Sequence, residues 1–79
     1  MYRNKAVLEA IERVLSSRGL TLEEFEDEIG WSRGTMRNAL QPLEEMSHNR
    51  NIKLPAELLG LDAVEFFEMV RQIDAVYGV

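Results

Sequence analysis

The side chains with most to offer a partner lie between residues 21 and 53. Ser32, Arg33, Gly34, Thr35, Arg37 and Asn38 are close together, and Arg50 and Lys53 follow in a polar tract. Immediately before them runs an acidic cluster, Glu23, Glu24, Glu26, Asp27 and Glu28. Covalent or metal chemistry has little to work with. There is no cysteine, which excludes disulfides, thiolate metal sites and cysteine nucleophiles. The single histidine, His48, has no second ligand nearby and reads as an exposed loop residue. No Ser-His-Asp set, paired buried carboxylates, glycine-rich phosphate loop or metal cluster can be assembled, so an enzyme is not expected. No cofactor is expected either. The acidic cluster reads as a solvated face, its early acids favouring the positive end of a helix, or as a contact for a protein partner.

The elements that must position these groups are all helical. In the first helix Val7, Ile11, Val14 and Leu15 share one face, and Gly19 ends it. Thr21 and Glu24 have capping-box spacing and open a second helix, with Phe25 and Ile29 inward and Gly30 as its stop. Ser32 is placed to cap a third helix running to about Gln41, with Met36 and Leu40 or Ala39 facing the core. Trp31 staples the start of that helix, and Pro42 closes it. The stretch from Pro42 to Lys53 reads as polar and turn-rich, with a short turn of helix around Leu43 to Met46. Pro55 suits the first turn of a fourth helix that ends at Gly60, with Leu58 and Leu59 inward. Asp62 and Glu65 repeat the capping-box spacing before a fifth helix at about 63–77.

That last helix carries a wide apolar stripe. Val64, Phe67, Val70 and Ile73 are spaced along it, with Phe66, Met69, Val76 and Tyr77 beside them. This stripe either closes the core or forms a dimer seam through Phe66, Phe67, Met69, Val70, Ile73, Val76 and Tyr77. A chain of 79 residues buries a modest core, and a second subunit would help stabilise it. No linker or repeat marks a second domain, so residues 1–79 are expected to form one.

The helix, tight turn and helix at about 21–40 make a helix-turn-helix, which leaves the outer face of the second helix free to be read. From about Ala10 to Phe67 the chain resembles the Cro/C1-type (XRE-like) helix-turn-helix regulators of phages and bacteria. The residues that carry the resemblance are Gly19-Leu20-Thr21, Glu23-Glu24-Phe25, Ile29-Gly30-Trp31-Ser32-Arg33, Leu58-Leu59-Gly60-Leu61-Asp62 and Glu65-Phe66. The resemblance implies an all-α, five-helix, lambda-repressor-like domain whose third helix enters the major groove of double-stranded DNA. Carried over by position, Arg33, Gly34 and Asn38 would face base edges. Arg can fork onto guanine and Asn onto adenine. Arg37 would meet the groove wall or a phosphate and Thr35 a phosphate, Ser32 would open the reading helix, and Arg50 and Lys53 would touch the backbone downstream. The chain departs from the family at Leu22, where Gln often holds a phosphate. It departs at Glu26, where a small residue is usual; a carboxylate there must point outward or push the helices apart. Leu40-Gln41-Pro42 replaces the common Glu-Asn-Gly turn.

The implied function is a sequence-specific regulator, a repressor by default, binding an inverted repeat as a homodimer with half-sites about 34 Å apart. The competing expectation is a helical protein-binding module, such as an antitoxin, antirepressor or adaptor, using the acidic helix at 23–28. The charge balance bears on both. Acids outnumber bases 14 to 9, for a net charge of -5. Residues 21–30 hold five acids and no base, while residues 31–53 hold four bases and two acids. Binding driven by bulk charge is excluded, and a few named side chains would have to select the site. No run of eighteen apolar residues suggests a membrane span, the first residues do not resemble a signal peptide, and a cytoplasmic location is the expectation.

Overall fold

A computed structural model describes residues 3–39 and 49–77, and it is all-helical over them. The expected turn around Leu43 to Met46, together with Leu40, Pro42 and His48, lies outside the described residues. The order is α1 (Asn4–Ser17), α2 (Leu22–Glu28), α3 (Thr35–Ala39), a π-helical turn (Asn49–Lys53), α4 (Leu54–Leu59) and α5 (Ala63–Tyr77).

The centre of the core is α1. Val7, Ile11 and Leu15 are buried along one stripe, and Ala6 and Ala10 beside them are small enough to let neighbouring helices approach. The longest neighbour is α5, which turns Phe66, Val70 and Ile73 onto α1. Leu22 and Phe25 of α2, Met36 of α3, Ile52 of the π turn, and Ala56 and Leu59 of α4 complete the core. Each large apolar side chain contributes about 1.5–3 kcal/mol by leaving water.

The helix ends follow their local residues. Thr21 Oγ1 accepts the Glu24 amide hydrogen at 3.1 Å, and Glu24 accepts the Thr21 amide hydrogen at 2.8 Å, so the capping box is complete. Asp62 accepts from the amides of Val64 and Glu65 at 2.7 and 3.3 Å, opening α5. At the end of α2, Gly30 has φ +80°, and the Trp31 amide reaches back to the Glu26 carbonyl at 2.8 Å. That paired closing pattern needs a left-handed residue, which glycine supplies without strain. Arg18 donates to the Leu59 carbonyl at 2.7 Å, tying the end of α1 to the end of α4.

Three expectations are corrected. The central residue of the α5 stripe is Phe66, because Phe66, Val70 and Ile73 recur at i, i+4 and i+7, whereas Val64 is 72 % exposed. Phe66, Val70 and Ile73 are spent on the chain's own core and offer no surface to a dimer seam. Phe67 and Met69 are half-buried against that core, leaving Val76 and Tyr77 as the exposed members of the set. Finally, the end of the polar tract is not a loop. Asn49–Lys53 forms a π turn whose last residue is helical and runs directly into α4, and both Asn51 and Ile52 are buried.

The first turns of α1 are tied to the last turn of α5. The Arg3 backbone and guanidinium both donate to Asp74, at 2.8 and 3.1 Å. Tyr77 donates its hydroxyl hydrogen to Glu9, and the Lys5 ammonium lies 4.4 Å from the centre of its ring. Asn51 donates to the Asn4 side chain at 2.8 Å, binding the π turn to the start of α1.

Candidate nucleic-acid interface

The third helix starts at Thr35, two residues later than a cap at Ser32 would have set it. Ser32 is exposed, and its carbonyl accepts the Thr35 amide hydrogen at 3.1 Å, closing a β-turn over Arg33 and Gly34. Gly34, third in that turn, has φ +91°, the sign a type II turn requires at this position. A residue with that φ cannot belong to an α-helix, so α3 begins after it.

The cap of α3 is Glu26. Its side chain is inward and fully buried, one oxygen accepting from Gly34 N–H at 3.1 Å and the other from Met36 N–H at 2.7 Å. This corrects the expectation that Glu26 must point outward or push the helices apart. The carboxylate satisfies amides that α3 would otherwise bury without partners, and its charge faces the positive end of the helix. Charged acceptors make the stronger hydrogen bonds. The sequence did hold a signal for this: Leu22, Phe25, Glu26 and Ile29 fall at i, i+3, i+4 and i+7, so Glu26 shares the apolar face of α2.

The groups that follow are presented outward. Arg33, Arg37 and Asn38 are exposed, and Thr35 and Gly34 are half-buried. Both arginines meet acids from other elements. Arg33 pairs with Asp27 of α2 at 2.9 Å, and Arg37 pairs with Glu12 of α1 at 3.5 Å. The hydrogen bond and charge of Asp27 raise the Arg33 pKa above the ordinary arginine value. Neither pairing was expected, and Glu12, 25 residues from Arg37, gave no local signal. Arg33, Gly34, Thr35, Arg37 and Asn38 thus share one short segment. Lys53 is exposed on the separate π turn that also contains Arg50.

The acidic cluster divides into roles. Glu24 completes the capping box, Glu26 caps α3 and Asp27 pairs with Arg33, while Glu28 is exposed at the end of α2. Among the described residues, no three His, Cys, Asp or Glu side chains are grouped to hold a metal ion, and no helix is long and apolar enough to cross a membrane. No family model, curated protein or solved structure matches the chain.

Proposed function

We propose that the chain is a lambda-repressor-like helix-turn-helix domain that binds double-stranded DNA sequence-specifically and regulates transcription. The observation that carries this is the set of exposed side chains Arg33, Arg37 and Asn38, with the half-buried Thr35 among them, on a segment whose start is fixed by the buried Glu26 carboxylate. A short, rigidly started helix with outward guanidinium and amide groups suits insertion into a major groove. In this reading Arg33 and Asn38 address base edges, and Thr35 and Arg37 address phosphates. Lys53 and Arg50 extend the contact along the backbone. A homodimer on an inverted repeat belongs to the same proposal, with its contact drawn from surface other than the buried Phe66, Val70 and Ile73.

Selection of bound sequences from random duplexes tests this. An enriched palindrome supports the regulator and gives its half-site spacing. Arg33→Ala and Asn38→Ala should then lose specific binding while circular dichroism stays unchanged. Unchanged operator affinity in both variants would remove the assignment.

A second reading has its own support. Asp27 and Glu12 neutralise both arginines of the segment, which leaves less charge for DNA. A protein-binding module contacting its partner through α2 fits that arrangement. Failure to be retained on DNA-cellulose at low salt, with no sequence enriched, favours it.

A further inference from the structure

We propose that Asp27 and Glu12 are built-in competitors for the anionic partner of Arg33 and Arg37, holding the segment in a self-neutralised state that phosphates must open. The inference rests on the DNA-binding reading and departs from it at one residue: here Arg33, like Arg37, meets phosphate rather than a base edge.

The arrangement differs from ordinary pairing along one helix. Arg13–Glu9 and Arg71–Glu68 are neighbours within a helix. Asp27 and Glu12 instead reach Arg33 and Arg37 from α2 and α1, across six and 25 residues of chain. Both arginines of the 33–38 segment are therefore answered by acids from elements packed beside it. Asp27 has an electrostatic reason to be there. It lies in the last turn of α2, where the helix dipole disfavours a carboxylate, and the guanidinium offsets that.

The pairs are also easy to open. All four side chains stay about half exposed or more, at 66 and 53 % for Arg33 and Asp27, and 51 and 46 % for Arg37 and Glu12. Water screens such pairs, so they contribute little to stability. No buried bond has to break when either acid turns away. A nucleic-acid phosphate offers the same acceptor geometry as the carboxylate it displaces. The consequence is a threshold: weak or isolated phosphates do not dislodge both acids, whereas a duplex presenting several phosphates at once does.

The test compares the full chain with Asp27→Asn/Glu12→Gln, which removes both competitors, and with Glu57→Gln/Glu65→Gln, which removes two exposed acids elsewhere. The two variants have the same net charge. Affinity for a short mixed-sequence duplex is read by fluorescence anisotropy at low salt. Opening two exposed pairs should tighten binding of Asp27→Asn/Glu12→Gln by about 2- to 30-fold. The charge-matched control should gain clearly less. Adding Arg33→Ala/Arg37→Ala should erase the gain. The two single variants, Asp27→Asn and Glu12→Gln, are measured as well, so misfolding of one leaves the other to decide. Equal gains in both charge-matched proteins, no gain from removing the competitors, or no binding by any protein would overturn the inference. A gain without any enriched sequence in the selection keeps the inference and removes sequence-specific reading. An enriched sequence without the gain does the reverse.

Discussion

The buried carboxylate of Glu26 accepts the Met36 amide hydrogen at 2.7 Å, joining α2 to the first turn of α3. Its other oxygen takes the Gly34 amide, so one side chain serves two donors that have no helical partner of their own. Glu26→Gln keeps the shape but loses the charge, and turns an amide N–H towards one of those donors. The expected cost is about 1–3 kcal/mol. Glu26→Ala also removes packed atoms and should cost more than Gln. Urea unfolding of the three proteins checks the order. A Glu26→Ala protein as stable as the parent would show that the carboxylate does not hold this joint.

Gly34 makes the same joint from the other side. Its φ of +91° disfavours any side chain, although an added Cβ would meet nothing within 4 Å. The penalty for Gly34→Ala is therefore one of backbone conformation alone, about 1–2 kcal/mol. Asn tolerates left-handed backbone better, so Gly34→Asn should fall between the parent and Ala. Thermal melts followed by circular dichroism read the series. Equal melting of the Ala and parent proteins would contradict the left-handed turn.

The late start of α3 shows what local sequence leaves out. Thr21, Glu24 and Gly30 act on amides within a few residues, so the ends of α2 are legible from spacing alone. Ser32 is an equally good cap by type. It is overruled by Glu26, which reaches forward eight residues to Gly34 and ten to Met36. Glu26 could have been placed by register, since it shares a helix face with Phe25 and Ile29. The same distinction explains the candidate site. That Arg33, Arg37 and Asn38 face outward is legible, because Met36 takes the inward position. The partners Asp27 and Glu12 depend on how α1, α2 and α3 pack. On α5 apolar residues occur around much of the circumference, so periodicity could not choose between Val64 and Phe66. The polar residues of 42–53 read as turn-rich, whereas Asn51 is buried and bonded to Asn4, 47 residues away, a contact that depends on how the π turn packs against α1.

The clasp between α1 and α5 gives a pH signature. The hydrogen bond from Tyr77, with Arg13 adding to it, holds the Glu9 carboxyl below its ordinary value of 4.5. The bond to Glu9, with partial burial, pushes the Tyr77 phenol above 10.0. A lowered carboxyl contributes stability above its unfolded pKa and loses it as pH falls through the folded one. A raised phenol contributes below its unfolded pKa and loses it as pH rises through the folded one. The advantage of the parent over Tyr77→Phe should therefore be widest from pH 5 to pH 9, flanked by the ordinary values of about 4.5 and 10. It should shrink in stronger acid and in stronger alkali. Denaturation midpoints across the range measure it, and a difference independent of pH would argue against the bond.

Phe66 and Val76 separate core closure from dimer contact on a single helix. Phe66 is buried against α1, while Val76 is 73 % exposed. Phe66→Ala should cost about 3–5 kcal/mol through lost burial and the cavity left behind. In a domain whose whole stability is about 5–15 kcal/mol, that is a large share of the total. Val76→Ser touches no core contact and should stay within about 0.5 kcal/mol in the isolated chain. Unfolding midpoints at low and high protein concentration distinguish the two roles. Destabilisation by Phe66→Ala at every concentration fits a core residue. A loss in Val76→Ser that appears only at high concentration, where subunits associate, would identify the exposed end of α5 as the contact between copies. Equal and small effects of both substitutions would contradict the packing of α5 on α1.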